Sequence, residues 1–231
     1  MEVFQLRNKI RQFYFLLLII LLVGLNIIWE GFKIKKIYLI SSNNKVSGLS
    51  VFNGTNLLFL NSEKIINLIL AKNIYLKNVK LIKKFPGVLF LELTWRQPVA
   101  RLMSYDKPLF IDAEGFPAEN NTSVDTFPQI YLSSVTLSGK TPDWRLLKAI
   151  SLINELHKGD LFLSRVNFVD NNSEINVLID DSVEVLLPYN FDPLSTGASL
   201  QTIISRFRIE GKFISKIDFR FEKPLVILKN E

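Results

Sequence analysis

Apolar and polar positions alternate along most of the chain, but in one stretch the polar positions are missing. Phe13 to Trp29, FYFLLLIILLVGLNIIW, carries no charge, and only Gly24 and Asn26 interrupt the apolar run. As a helix it measures roughly 25 Å, slightly short of a bilayer core of ~30 Å. Gln12 and Glu30-Gly31 complete the span by local thinning or snorkelling. A buried core helix would show polar positions at helical spacing, and there are almost none. A removed signal peptide would end in small residues, yet this run leads into Asn26-Ile27-Ile28-Trp29-Glu30. The pattern predicts an uncleaved membrane anchor over 13–31, preceded by a short tail over 1–12. Trp29 falls where an interfacial aromatic is expected.

Beyond the anchor the periods are those of strands and short helices. Lys33 to Ile40 predicts a strand, 41–48 a polar turn, and 49–60 room for one short helix. Ser62 is the expected N-cap of a helix carrying Ile65, Ile66, Ile69 and Leu70 and ending near Lys72-Asn73. Tyr75 to Lys84 and Val88 to Trp95 predict strands joined at Phe85-Pro86-Gly87, with Leu89, Leu91, Leu93 and Trp95 on one face. Pro98 is expected to close the second of them. Strand, short helix, helix, strand, strand is the order of a three-stranded sheet with helices on one face.

The rest is richer in strands. Pro108 to Gly115 reads as a strand running into a turn, and 117–126 as loop. Thr141-Pro142-Asp143 predicts a helix start, with Thr141 as N-cap, Leu146, Leu147, Ile150 and Ile153 as the buried face and Lys158-Gly159 as the end. Strands are predicted at Val166–Val169, Ile175–Ile179 and Val183–Leu187, the last two joined at Asp180-Asp181-Ser182. Asp192-Pro193 opens a helix with Leu200, Ile203, Ile204 and Phe207 inward and Gly211 as its stop. Lys216 to Phe221 predicts a strand with Ile217, Phe219 and Phe221 facing the core and Asp218 and Arg220 facing away. A short strand, Pro224 to Leu228, follows.

Charge divides the chain. Residues 1–36 carry a net +4, 37–101 carry +7 and 102–231 carry −5. A basic module beside the anchor and an acidic one beyond it predict two domains, the first suited to an anionic headgroup surface. Nucleic acid is disfavoured because the lysines are interspersed with strand-like apolar residues rather than with aromatics on a stripe. Flanking charge does not orient the anchor: Arg7, Lys9 and Arg11 balance Lys33, Lys35 and Lys36.

Candidate chemistry is sparse. There is no cysteine and a single histidine, His157, which excludes thiolate sites and histidine clusters. No P-loop, G-x-S-x-G, H-E-x-x-H or dinucleotide glycine run is present. His157 falls in the last turn of a predicted helix, facing its dipole or solvent. Asp180-Asp181, and Asp112 with Glu114, are explained more simply as turn residues than as paired carboxylates. N-x-S/T triplets at Asn53, Asn120, Asn121 and Asn171 bear on the reading only in a secreted eukaryotic protein. No catalytic, metal or cofactor site and no small-molecule substrate is predicted, so the expected function is contact.

Several segments carry a family resemblance. KIKKIYLI, a helical region, then NVKLIKKFPGVLFLELTWRQPVARL is similar to the POTRA module of the bacterial cell-division family FtsQ/DivIB. Phe85-Pro86 and Arg96-Gln97-Pro98-Val99-Ala100 are its most specific pieces. Trp95-Arg96-Gln97 stands where that family usually has Glu-Arg, and Ser41 to Asn44 stands where it has a glycine. Pro108 to Gly115 resembles the family's "lIDx.G" segment, Phe127-Pro128-Gln129-Ile130 the segment that follows, and Lys216 to Phe221 its "iDLRy" strand.

The resemblance implies an α+β chain: a cytoplasmic tail over 1–12, a single transmembrane helix over 13–31, and a POTRA module over 33–102. The module would have a three-stranded sheet and two helices. A mostly antiparallel β-rich domain with two helices would follow over 103–231. It also implies a non-enzymatic scaffold in the cytoplasmic membrane, with its C-terminal domain outside the cytoplasm and enriched at the division septum. There it would bind FtsB-like and FtsL-like single-pass proteins, besides membrane lipids, and help control septal peptidoglycan synthesis. By position, Arg220, Phe221, Lys223, Leu225, Val226 and Ile227 would lie at the partner-binding edge. Apart from the resemblance, Gly24 and Asn26 are unusual in a mere anchor and suit packing against the helices of membrane partners. Two rivals remain: a membrane-anchored cell-wall hydrolase or transferase, and a POTRA-containing secretion or assembly component.

Overall fold

A computed structural model describes residues 2–40, 45–103, 108–120, 126–133, 141–169 and 174–229, with side chains from Arg11 onward apart from Gln12. Residues 41–44 of the expected 41–48 turn, and the triplets at Asn121 and Asn171, lie outside the described residues. The chain forms two compact units, residues 1–95 and 96–231.

The first unit begins with helix α1 (Glu2–Gly31), which includes the tail as well as the expected span. Its segment Phe13–Gly31 is long and apolar enough to cross a membrane, with a mean hydropathy of 2.3 and none of it buried against protein. The apolar side chains from Phe13 to Trp29 are exposed all round the helix, so it is not a core helix. Strand β1 (Lys36–Ile40) follows, then a 3-10 turn Leu49–Phe52 and helix α2 (Ser62–Lys72). Strands β2 (Leu76–Lys84) and β3 (Val88–Trp95) form an antiparallel hairpin.

The sheet order is β1-β3-β2, with β1 parallel to β3 from Lys36 opposite Val88 to Ile40 opposite Glu92. Phe52, Leu57, Ile65, Ile69, Leu76, Val79, Leu89, Leu91 and Leu93 fill its core. Three expectations are corrected. The second helix of the module is only a single 3-10 turn. The cap of α2 is Asn61, whose side chain accepts the Lys64 N–H (3.0 Å), rather than Ser62. The first strand starts three residues late because Lys33 to Lys35 bond instead to the loops at 55–56 and 87.

The second unit starts where the chain leaves β3. Pro98 does not close β3; it opens β4 (Pro98–Leu102), which joins a different sheet, so the expected boundary at 102/103 moves to 95/96. A proline at the first position of a strand withholds no ladder donor from the residues that follow. Next come β5 (Leu109–Asp112), β6 (Pro117–Ala118), β7 (Gln129–Tyr131) and helix α3 (Trp144–Lys158). Strands β8 (Leu163–Val169), β9 (Glu174–Ile179) and β10 (Val183–Pro188), helix α4 (Pro193–Ile209), β11 (Ile214–Asp218) and β12 (Leu225–Leu228) complete it. Pro117 and Ala118, expected in a loop, pair with β5.

These nine strands form one mostly antiparallel sheet in the order β12-β11-β10-β9-β8-β7-β4-β5-β6. Alternate residues of its strands, such as Val166, Phe168, Ile175, Val177, Val183 and Val185, share a core with Leu146, Ala149, Ile150, Leu152 and Leu156 of α3 and Leu200 and Ile204 of α4. Asp143, not Thr141, caps α3 by accepting the Arg145 N–H (2.9 Å). Asp192 caps α4 ahead of Pro193. The helices touch closely enough at Gly197 that a Cβ there would lie 2.6 Å from Glu155 Cγ. The chain is thus α+β, with an apolar N-terminal helix, a small three-stranded sheet and a larger sheet.

Near the start of the second unit, Asp112 is buried and its Oδ1 accepts the N–H groups of Glu114 (3.0 Å) and Phe116 (2.9 Å). Its Oδ2 meets Arg96 Nη1 at 2.5 Å, and that guanidinium also lies 4.4 Å from the Phe116 ring centroid. Removing one member of such a pair leaves the other charge buried. Asp112→Ala should therefore destabilise the protein by about 3–5 kcal/mol in urea unfolding; a change below about 1 kcal/mol would show that the pair does not hold this turn.

Candidate partner-binding edge

The polar members of the alternation emerge on the sheet face opposite the helices. Arg165, Asn167, Glu174, Asn176, Glu184 and Lys216 line a groove of about 560 Å³ there, together with Arg220. Its lining reaches Lys216 on β11, the neighbour of the terminal strand β12.

Strand β11 stops sooner than the sequence pattern predicts. Asp218 Oδ1 accepts the Arg220 backbone N–H (3.0 Å), an Asx-type turn that bends the chain out of the ladder. Phe219 still bonds to Leu186 (N···O 2.8 Å) and packs on the core. Past that point the alternation is lost. Phe221, expected in the core, is 59% exposed, and Asp218, expected to face away, is buried.

The Arg220 guanidinium closes the turn. Its Nη2 lies 2.6 Å from Asp218 Oδ2, its Nε 2.9 Å from Asp218 Oδ1, and its Nη1 2.8 Å from Glu174 Oε2 on β9. The hydrogen bonds from Arg220 hold the Asp218 carboxyl below its ordinary value of 3.8, against the opposing effect of burial. Asp218 in turn raises the Arg220 guanidinium above its ordinary value.

After this turn β12 pairs antiparallel to β11, Leu225 opposite Asp218 and Ile227 opposite Lys216, and ends the sheet. Only Val226 packs on the core; Leu225 is 52% and Ile227 45% exposed. An edge strand leaves every second N–H and C=O unpaired by the sheet, and here the exposed side chains are aliphatic rather than charged. Phe213, Phe221 and Leu228 are exposed as well.

The six residues singled out from the sequence therefore divide. Leu225 and Ile227 present apolar surface on the terminal strand, and Phe221 and Lys223 lie exposed in the connection before it. Val226 anchors the strand to the core, and Arg220 holds the turn. Sequence reasoning missed Phe213, whose carbonyl accepts the Lys229 N–H (2.8 Å), and the groove residues Arg165, Glu174, Glu184 and Lys216. The strict alternation of Glu174 with Ile175 and of Glu184 with Val185 was the signal for the groove; nothing in the sequence marked Phe213.

Of the carboxylates considered for chemistry, Asp112 and Glu114 meet Arg96 and Asp180 meets Arg208. Asp180 and Asp181 turn the β9–β10 hairpin with φ of 49° and 52°, a left-handed conformation that Asp tolerates. Asp180 Oδ1 accepts the Phe162 N–H (2.9 Å), and its Oδ2 meets Arg208 at 3.2 Å. His157 is exposed in the last turn of α3. Among the described residues no group of three or more His, Cys, Asp or Glu is placed to hold a metal ion. No protein-family model matches the chain, and no curated protein matches it.

A carboxyl whose pKa is lowered by folding stabilises the native state fully above its ordinary value. That stabilisation is lost as pH falls through the lowered one. Melting temperatures of the native sequence and Asp218→Asn should thus differ most above about pH 4 and converge in stronger acid. A gap that stays constant down to about pH 2 would show that the Arg220 pairing does not stabilise the fold.

Proposed function

We propose that the chain is a single-span scaffold of the FtsQ/DivIB kind, binding single-pass division proteins outside the cytoplasmic membrane and acting on septal wall synthesis through those contacts. The observation that carries the reading is β12: a terminal strand with an open edge and exposed Leu225 and Ile227, next to exposed Phe221. Such an edge accepts a partner strand, with main-chain bonds supplying affinity and alternate side chains supplying specificity.

Two further features support it. One is the order of elements after the apolar helix, with β1 parallel to β3 and β2 on the far side, an arrangement compatible with a POTRA module. The other is the set of segments resembling the family in the order that family has them. On this reading Arg220 serves the interface by holding the turn that sets the position of β12, and Phe221, Lys223, Leu225 and Ile227 touch the partner. The tail over 1–12 lies in the cytoplasm, and the residues after the span lie outside it.

Capture of an FtsB-like partner from membranes tests the assignment. Phe221→Ala and Ile227→Asp change exposed side chains, so both variants should keep the native melting temperature while capture falls about tenfold or more. Capture at the native level by folded protein of both variants would remove β12 from the interface.

A further inference from the structure

The C-terminal end of α1 is built into the small unit. The Trp29 carbonyl, in the last turn of the apolar segment, accepts Asn56 Nδ2 (2.8 Å), and the Phe32 carbonyl accepts the Leu57 N–H (2.8 Å). The Ile34 N–H donates to Thr55 (3.0 Å) and the Lys35 N–H to Gly87 (2.8 Å). Gly87 permits this approach, since a Cβ there would lie 2.6 Å from the Lys33 carbonyl oxygen. Carbonyls at a helix end lack intrahelical donors and are costly to leave unpaired near hydrocarbon, and here the unit supplies the donors. Two loops, 53–60 and 85–87, are thereby held level with the end of the helix.

The tips of those loops are apolar and bare. Leu57 and Leu60 enter the core, but between them Leu58 is exposed and Phe59 is 72% exposed, while Phe85 is 52% exposed. The Phe59 ring stacks on Trp29 with centroids 5.4 Å apart, and Phe85 meets Phe32 edge-on at 5.7 Å. Trp29 marks the depth of the interface for a helix inserted over Phe13–Gly31. A ring stacked on it shares that depth. Lys35, Lys36 and Lys84 are exposed beside these loops, whereas Lys33 pairs with Glu30 and Lys83 donates to the Leu60 carbonyl. Aromatic and aliphatic tips ringed by lysines suit an anionic headgroup layer, and this surface is continuous with the apolar face of the span.

We propose that Leu58, Phe59 and Phe85, flanked by Lys35 and Lys84, form a second membrane contact that seats the small unit on the bilayer holding α1. The unit then stands at a fixed height on the membrane instead of swinging on a tether. The proposal rests on α1 crossing the bilayer and is independent of the division reading.

The chain has no cysteine, so single-cysteine variants of the full chain can each carry one nitroxide. Phe59→Cys, Phe85→Cys and Ile27→Cys are compared in nanodiscs of phosphatidylethanolamine and phosphatidylglycerol, with circular dichroism reporting the fold. A free nitroxide in buffer sets the aqueous limit. The expected result is that collision with oxygen relative to a water-soluble nickel complex shifts, at 59 and 85, away from the aqueous limit toward the value at 27. Aqueous values at 59 and 85 with a lipid value at 27 would overturn the seating alone. An aqueous value at 27 would overturn the span and the seating together.

Discussion

Helices α3 and α4 pack against each other at Gly197 and against one face of a nine-stranded sheet. Covering only one face is the constraint from which the rest of the larger unit follows. The residues opposite the helices are expected to be largely polar, and Arg165, Asn167, Glu174, Asn176, Glu184 and Lys216, with Leu178 and Leu186 among them, line an open groove. Among the described residues the sheet does not close on itself, so its terminal strands keep unpaired main-chain groups. Proteins usually blunt such edges with charge. Here β12 instead carries Leu225 and Ile227 into solvent, and it is this exposed aliphatic edge on which the proposed partner contact rests.

The position of that edge depends on Asp218. Its buried carboxylate ends β11 by accepting a main-chain N–H, and Arg220 ties the same carboxylate to Glu174 across the open face. One electrostatic cluster thus links the groove, the turn and the terminal strand. A partner strand added at β12 would lie beside residues whose placement that cluster sets.

Much of this was legible from residue patterns, and where it was not, a local bond was responsible. Period-2 alternation located β3, β9 and β10 almost to the residue, because each has one buried face. Helical spacing and caps located α2, α3 and α4, though neighbouring polar residues competed for the cap: Asn61 displaced Ser62, and Asp143 displaced Thr141. Pro98 misled because a proline that ends one strand and a proline that begins another look alike in sequence. Phe221 misled because a side chain, Asp218, ended the ladder where alternation alone would have continued it. The candidate segment Arg220 to Leu228 could be named from the sequence, but not its internal division: Val226 packs on the core and Arg220 holds the turn, while Leu225 and Ile227 are exposed.

The smaller unit shows the same economy at the end of α1, where loop donors complete the helix and leave Phe59 stacked on Trp29 and Phe85 against Phe32. The chain joins a helix long and apolar enough to cross a membrane, a small sheet bonded to the end of that helix, and a larger unit with an open edge. The central claim is that these contacts serve cell division. Depletion of the protein in cells carrying a fluorescent fusion tests it most directly. The account predicts midcell fluorescence, and filamentous or chained cells as the protein is lost; diffuse envelope fluorescence with normal septation would contradict it.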